Sequence, residues 1–296
     1  MSKKAANLQK KIMSRMFRGK GIFKPLNTGF IDEHVASLRE WVANIFFYTK
    51  NGNTIMIDAG YNYDRLEEKM SWLCLNPKEI KHIFITHQDT DHMGAVERES
   101  ALLFKHATLY LGEIENRYLT GEVRRKVFRG LYRLPKVKTD NKKILLKDGQ
   151  VFYIYDIKVE CILVPGHTWG HMVYLVDDRY LFTGDTIWLG IDGGYSFLSV
   201  LAEDNKLSLQ SLARLKRIIK GKQRNIKVIT GHTGYTDDLD FAFAHIDKIC
   251  SPFSKTAYDP VAPYDGYDES DDTKENAEKA NRNMQRKYHR EGIRIR

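Results

Sequence analysis

Ile83-Phe84-Ile85-Thr86-His87-Gln88-Asp89-Thr90-Asp91-His92-Met93-Gly94 is an apolar run that stops abruptly in a knot of acids and imidazoles. Residues 80–86 have the length and composition of a short buried strand, and the polar cluster begins where that strand ends. The arrangement recurs further along. Ile162-Leu163-Val164-Pro165-Gly166 precedes His167, Tyr180-Leu181-Phe182-Thr183-Gly184 precedes Asp185, and Val228-Ile229-Thr230-Gly231 precedes His232. If these strands lie side by side, their loops converge on one sheet edge, which is where open sheets place ligands. Imidazole and carboxylate are good ligands for divalent cations, and the glycines let the backbone turn tightly beside them. His87, Asp89, Asp91, His92, His167, Asp185 and His232 exceed what one tetrahedral ion needs. Two ions sharing a bridging carboxylate and a bridging hydroxide would use them all. A helix cap would account for His87, Asp91 and His92, but not for the later clusters.

Around these clusters the chain alternates between strand and helix patterns. Residues 42–59 read as two strands joined by a tight turn at Lys50-Asn51-Gly52-Asn53. Helical spacing is expected over residues 62–75, 94–104, 205–220 and 239–249, with strands at 108–111, 159–164, 172–176, 180–182 and 225–229. Residues 112–147 break the pattern: eleven Lys or Arg against four acids, with Tyr118, Phe128, Tyr132 and Leu134 interspersed. This segment should hold a helix and then an irregular stretch overhanging the site.

The ends are polar. Residues 1–24 carry eight Lys or Arg and no acid, nearly all of the +9 formal net charge, and form a basic amino-terminal arm in which Leu8, Ile12 and Met16 could line a short amphipathic helix. Residues 256–296 form a charged carboxy-terminal extension, read as a surface helix or a disordered tail, which leaves 25–255 as the catalytic domain. No run of eighteen apolar residues exists, so no transmembrane segment is expected. Cys74, Cys161 and Cys250 are few, odd in number and widely spaced. That usage argues against a disulfide framework and fits a reducing, cytoplasmic setting.

The motifs resemble those of the metallo-β-lactamase superfamily, whose first motif is usually T-H-x-H-x-D-H-x-G. Here it stands as Thr86-His87-Gln88-Asp89-Thr90-Asp91-His92-Met93-Gly94, followed in family order by Pro165-Gly166-His167-Thr168-Trp169-Gly170-His171, Phe182-Thr183-Gly184-Asp185-Thr186 and Thr230-Gly231-His232-Thr233. The resemblance runs from about residue 40 to 250. It implies an α/β fold, a four-layer αββα sandwich, with a binuclear centre at one edge. It further implies that His87, Asp89 and His167 surround one metal, that Asp91, His92 and His232 surround the other, and that Asp185 bridges. Asp58 matches a strand-end acid behind the ligands, expected to hold a histidine or a backbone turn. His171 matches a residue that supports the ligands without binding metal. Asp89 departs from the family pattern, which has histidine there. Three carboxylates facing two cations would weaken Lewis acidity, and oxygen-rich ligation makes Mn or Fe more competitive with Zn, which is otherwise the expected ion.

The expected chemistry is hydrolysis. A cation-acidified water would attack an ester, lactone or thioester of a small-molecule substrate, with Asp91 as the catalytic residue that orients it and moves its proton. Trp169, Trp188, Tyr195, Phe197 and Tyr235 lie near motif loops and are candidates to line the substrate pocket, with Trp188 and Tyr235 the candidate substrate contacts. A phosphodiesterase or nuclease is the main alternative, drawing on the basic residues of 113–147, although no dedicated nucleic-acid module is apparent. An iron-dependent oxidoreductase and a nonenzymatic metal-containing binding protein are the other readings. A homodimer formed through a flat face or the amino arm fits the sequence.

Overall fold

Alternation along Ala43–Lys50 sets the architecture. Ile45 and Phe47 enter one apolar cluster with Met56, Ile83 and Leu109, whereas Phe46 and Tyr48 enter another with Tyr174, Tyr180 and Phe182. A strand apolar on both faces must be covered on both. The computed structural model describes residues 23–61, 65–98, 103–222, 225–250 and 272–290.

A seven-stranded sheet runs in the order β1 (Gly29–Phe30), β2 (Val35–Glu40), β3 (Ala43–Lys50), β4 (Asn53–Ile57), β5 (His82–Phe84), β6 (Thr108–Gly112) and β9 (Lys143–Leu146). Between β6 and β9 lies a two-stranded hairpin, β7 (Lys126–Val127) and β8 (Tyr132–Arg133). A six-stranded sheet faces the first, in the order β10 (Val151–Ile154), β11 (Ile157–Leu163), β12 (Met172–Val176), β13 (Tyr180–Phe182), β16 (Lys227–Ile229) and β17 (Tyr235–Thr236). A small sheet joins β14 (Ile187–Gly190), β15 (Gly193–Ser196) and β18 (His245–Ile249). The helices are α1 (Leu66–Trp72), α2 (Thr90–Met93), α3 (Glu113–Thr120), α4 (Asn205–Gly221), α5 (Leu239–Ala242) and α6 (Lys274–Arg290).

Met172, Tyr174 and Val176 of β12 meet the first sheet, while Val173 and Leu175 on its other face pack with Leu212, Leu215 and Ile219 of α4. Leu66 and Met70 of α1 cover the outer face of the first sheet. The layers are therefore helix, sheet, sheet and helix, the αββα sandwich that the motifs imply. The hairpin expected within residues 42–59 forms as β3 and β4. Asn51 and Gly52 sit at its turn with φ of 49° and 78°, as a tight hairpin of matching twist requires.

Two expected helices are replaced. Residues 94–104 do not form one helix: α2 ends at Met93 and a single 3₁₀ turn, Gly94–Val96, follows. The neighbouring loop takes the backbone groups that would have extended it, since Ala59 N donates to His92 O at 2.7 Å and Ala95 N to Gly60 O at 3.1 Å. Residues 239–249 split into α5 and strand β18, because β15 offers an open edge; β18 pairs with it in parallel, and Cys250 N donates to Ser196 O at 2.8 Å. The helix pattern read at Leu8, Ile12 and Met16 lies outside the described residues. Phe23, at the end of that arm, is buried.

The described part of the carboxy-terminal extension is tied to the sandwich by charge. Asp272 Oδ2 lies 2.6 Å from Lys69 Nζ, both side chains are nearly inaccessible, and Thr28 N donates to Asp272 Oδ1 at 2.6 Å. Ala277 of α6 is fully buried. Removing one partner of a buried ion pair leaves an uncompensated charge. Asp272→Ala should therefore lower unfolding free energy by about 3–5 kcal/mol in urea titrations.

Candidate metal centre

Each polar loop is placed by a strand that ends in it. Thr86 and His87 follow β5, His167 follows β11, Asp185 follows β13 and His232 follows β16. Asp58 follows β4 in the left-handed region at φ 59°, a conformation aspartate tolerates better than most residues. There its carboxylate accepts from Thr86 N at 2.7 Å, from Thr86 Oγ1 at 2.8 Å and from His92 Nδ1 at 2.8 Å. Gly184 turns at φ 50°, and a Cβ there would meet His171 Nε2 and the Thr86 side chain at 2.8 Å. Glu115 of α3 clamps two loops from behind, accepting from Gln88 N at 2.8 Å and Thr168 Oγ1 at 2.6 Å. Burial pushes its carboxyl up to about 8, against the lowering effect of those hydrogen bonds.

The donor atoms gather into two clusters. His87, His167 and Asp185 form one; Asp91, His92 and His232 form the other, and in each set the ligand atoms lie within 4.8 Å of one another. Asp185 stands between them: Oδ1 is 3.1 Å from both His92 Nε2 and His232 Nε2, and Oδ2 is 3.4 Å from His167 Nε2. Asp89 Oδ2 is 3.5 Å from His87 Nε2 and 3.4 Å from His167 Nε2.

The atoms that remain unsatisfied fit cations. His92 Nδ1 is held by Asp58, and His232 Nδ1 donates to Val42 O at 2.5 Å, so both rings direct Nε2 lone pairs inward, 3.2 Å apart. Two nitrogen ligands about 2.05 Å from one tetrahedral zinc would stand about 3.3 Å apart. His87 Nε2 and Asp185 Oδ1 are buried without a hydrogen-bond partner. An orphaned buried polar atom is costly unless something supplies the missing interaction. Burial makes His87, His167 and His171 less basic, which favours the neutral, lone-pair-bearing form. His171 acts behind the ligands: its Nε2 accepts from Asp185 N at 3.1 Å, and its ring stacks on His87 at 4.9 Å.

Sequence reasoning missed Arg125. It is 2% exposed and forks onto Asp89, Nε to Oδ1 at 2.9 Å and Nη2 to Oδ2 at 2.8 Å. Burial alone would raise the Asp89 carboxyl; the guanidinium holds it well below the usual range. Three acids and one guanidinium leave the donor set two negative charges rather than three. Nothing local marks Arg125, since it lies 36 residues from Asp89 within a generally basic segment. Two aromatic rings adjoin the ligands, and of these sequence reasoning missed Phe23 alone. Phe197 stacks on His232 at 5.3 Å and meets His167 edge-on at 5.5 Å, and Phe23 lies 4.8 Å from His232. Trp188 is fully buried in the apolar cluster containing Phe23 and Phe197. Tyr235 is half-buried on β17 beneath Lys227 Nζ, 4.7 Å from its ring centre.

Residues 38–232 match the metallo-beta-lactamase superfamily. The chain belongs to it. It is 27% identical over 181 residues to the probable polyketide biosynthesis zinc-dependent hydrolase BaeB of Bacillus velezensis, covering 61% of this chain and 68% of that one. It is 26% identical over 177 residues to an atrochrysone carboxyl ACP thioesterase of Aspergillus fumigatus, covering 59% of this chain and 47% of that one. The chain thus spans about half the length of that thioesterase. Among solved structures it is similar in fold to the metallo-beta-lactamase family protein TTHA1429 of Thermus thermophilus, with a TM-score of 0.50 at 20% identity, over 68% of this chain and 72% of that one. The donor set is that of a binuclear, metal-dependent hydrolase in which one ligand position carries Asp in place of His.

Two outcomes follow for cation binding. Asp58 fixes His92 as the Nδ1–H tautomer, so Asp58→Asn should weaken cation retention about 10–100-fold, read as metal content after dialysis against graded free zinc. Burial opposes charge on His92 and His232, but Asp185, with Asp58 and Asp91 for His92 and with Asp91 for His232, raises both above the usual imidazole range. A proton therefore competes with the cation for these lone pairs up to a higher pH than usual. Affinity should climb as pH rises toward those raised values and level off beyond them, with proton release visible by calorimetry in buffers of different ionisation heat.

Proposed function

We propose that this metal-dependent hydrolase cleaves an acyl ester or thioester whose alcohol or thiol part carries an anionic tail. The observation that carries the reading is a cavity of about 680 Å³ beside the centre, where Arg124, Lys126, Arg129 and Arg133 outnumber Glu122 and Glu203 and the exposed Trp169 completes the lining. Its walls continue those of the metal centre: Arg124 and Lys126 flank Arg125, Trp169 lies two residues beyond His167, and Glu203 N donates to His167 O at 3.1 Å. Glu122 is paired with Arg117 and Glu203 accepts from Tyr118 and Lys126 N, so the excess of cations suits phosphate or carboxylate groups, and the indole face suits an apolar or planar portion. The thioesterase named among the relatives supports an acyl-sulfur bond as the scissile one.

His87, Asp89, His167, Asp91, His92 and His232 would hold two divalent cations, with Asp185 between them, and zinc is the preferred ion over manganese or iron. Bound cations would acidify a water and polarise the acyl carbonyl. Asp91 is the cluster carboxylate most open to solvent, with a side chain 20% accessible, and its Oδ2 lies 3.3 Å from His232 Nε2. It is placed to hold the nucleophile's proton and pass it to the leaving group. Asp58 and His171 keep His92 and Asp185 in register. Phe23 and Phe197 exclude water from the His232 side. A substrate contact at Trp188 would require movement, given its complete burial, whereas Tyr235 is half-buried beneath Lys227. Among the described residues no helix is long and apolar enough to cross a membrane. Free Cys74 and Cys161 suit a reducing cytoplasm.

A phosphodiesterase is the second reading, favoured by the same four cations. A panel of acyl thioesters with and without a phosphate-bearing thiol, run beside bis-p-nitrophenyl phosphate, separates the two. Arg129→Ala/Arg133→Ala should raise KM for the phosphate-bearing thioester about tenfold while leaving kcat and the neutral thioester unchanged, and Asp91→Asn should cut kcat at least 100-fold for both. Turnover of the phosphodiester alone would sink the acyl reading.

A further inference from the structure

Arg125 does more than neutralise Asp89. Its Nη2 donates to three acceptors, Asp89 Oδ2 at 2.8 Å, His167 Nε2 at 3.0 Å and Leu201 O at 2.7 Å, although an Nη2 group carries only two hydrogens. The acceptor atom on His167 is the one that would serve a cation in the first cluster, and a single imidazole lone pair binds either an N–H or a metal. Among the described residues no side-chain cation is fixed on the lone pairs of the second cluster: His92 and His232 turn Nε2 toward each other, 3.2 Å apart, because Asp58 and Val42 O hold their Nδ1 atoms. The two clusters, so alike in donor chemistry, are therefore unequal in what a cation must displace.

We infer that Arg125 is a built-in competitor for the first cation position, so that the Asp91, His92 and His232 cluster fills first and the His87, Asp89 and His167 position fills only as Nη2 releases His167. Release is local. Arg125 keeps Nε on Asp89 Oδ1 at 2.9 Å and Nη1 on Lys126 O at 3.0 Å, so the side chain need not leave the site. The contact given up is to a neutral acceptor and is the longest of the three that Nη2 makes. Arg125 itself is buried, while its neighbours Arg124 and Lys126 line the cationic pocket.

The inference rests on the reading of these clusters as a two-cation centre, and metal uptake tests the two separately. The full-length protein, stripped with chelator, is titrated with Zn²⁺ against a chromophoric competitor, and with Co²⁺ while its visible absorption is followed. Two resolved steps separated by about tenfold or more are expected, the size of one displaced hydrogen bond. Arg125→Met removes the competitor and frees the Asp89 carboxylate, so the weaker step should tighten about tenfold or more and the gap should narrow; Arg125→Lys should fall between. Two equal steps in the wild-type protein overturn the inference, and that result needs no variant to fold. A weaker first position in Arg125→Met, with an unchanged circular dichroism melt, also overturns it, by making Arg125 a scaffold for Asp89. No uptake at all would remove the two-cation reading itself.

Discussion

A buried charge has to be matched, and this requirement organises the molecule. Asp58, Asp89 and Asp185 are nearly withdrawn from water together with five imidazoles, Glu115 and Arg125. In a protein interior each uncompensated charge costs several kcal/mol, about the size of a domain's whole stability. The loops therefore have little freedom. Asp58 is met by Thr86 and His92, and Asp89 by Arg125 and Gln88, whereas the Asp185 backbone N–H donates to His171 and leaves the carboxylate facing His92, His167 and His232. What remains unmet is the inward-facing set of nitrogen and oxygen lone pairs, and those are the atoms that divalent cations match.

The sandwich serves this arrangement by bringing strand ends together. Two sheets packed through Phe46, Tyr48, Phe84, Tyr174, Tyr180 and Phe182 fix the spacing between loops that are far apart in sequence. Tyr174 donates to Ile85 O at 2.5 Å, tying the strand before His87 to the opposite sheet. Glycine matters where chains touch: a Cβ on Gly231 would come within 3.0 Å of both Asp185 Oδ1 and His92 Cε1. The aromatic cluster of Phe23, Phe197, Trp41 and Trp188 closes the His232 side, so the centre faces a dry wall there.

The substitution of Asp89 for a histidine is best understood as half of a pair. A lone aspartate would add a negative charge beside two others and alter the character of any bound cation. Asp89 with Arg125 is net neutral, as a histidine would be, and presents one carboxylate oxygen toward His87 and His167. The pair also introduces something a histidine lacks, a donor within reach of a neighbouring ligand.

The short apolar runs, the loops that follow them and the identity of the clustered donors are legible in the sequence because local order dictates them: a strand of alternating residues cannot hide where it ends, and H-x-D-x-D-H is compact. The β3–β4 hairpin is equally local, fixed by Asn51-Gly52. Tertiary structure alone decided the rest. Residues 239–249 carry helical spacing, yet half of them form β18, because unpaired backbone groups on β15 outweigh weak local propensity. Gly94–Val96 stops short of a helix because Ala59 and Gly60 take up its neighbours' backbone groups. Arg125 shows the limit most sharply. Its role comes from burial against Asp89, and neither burial nor a charge partner 36 residues away leaves a mark in the local pattern of a chain.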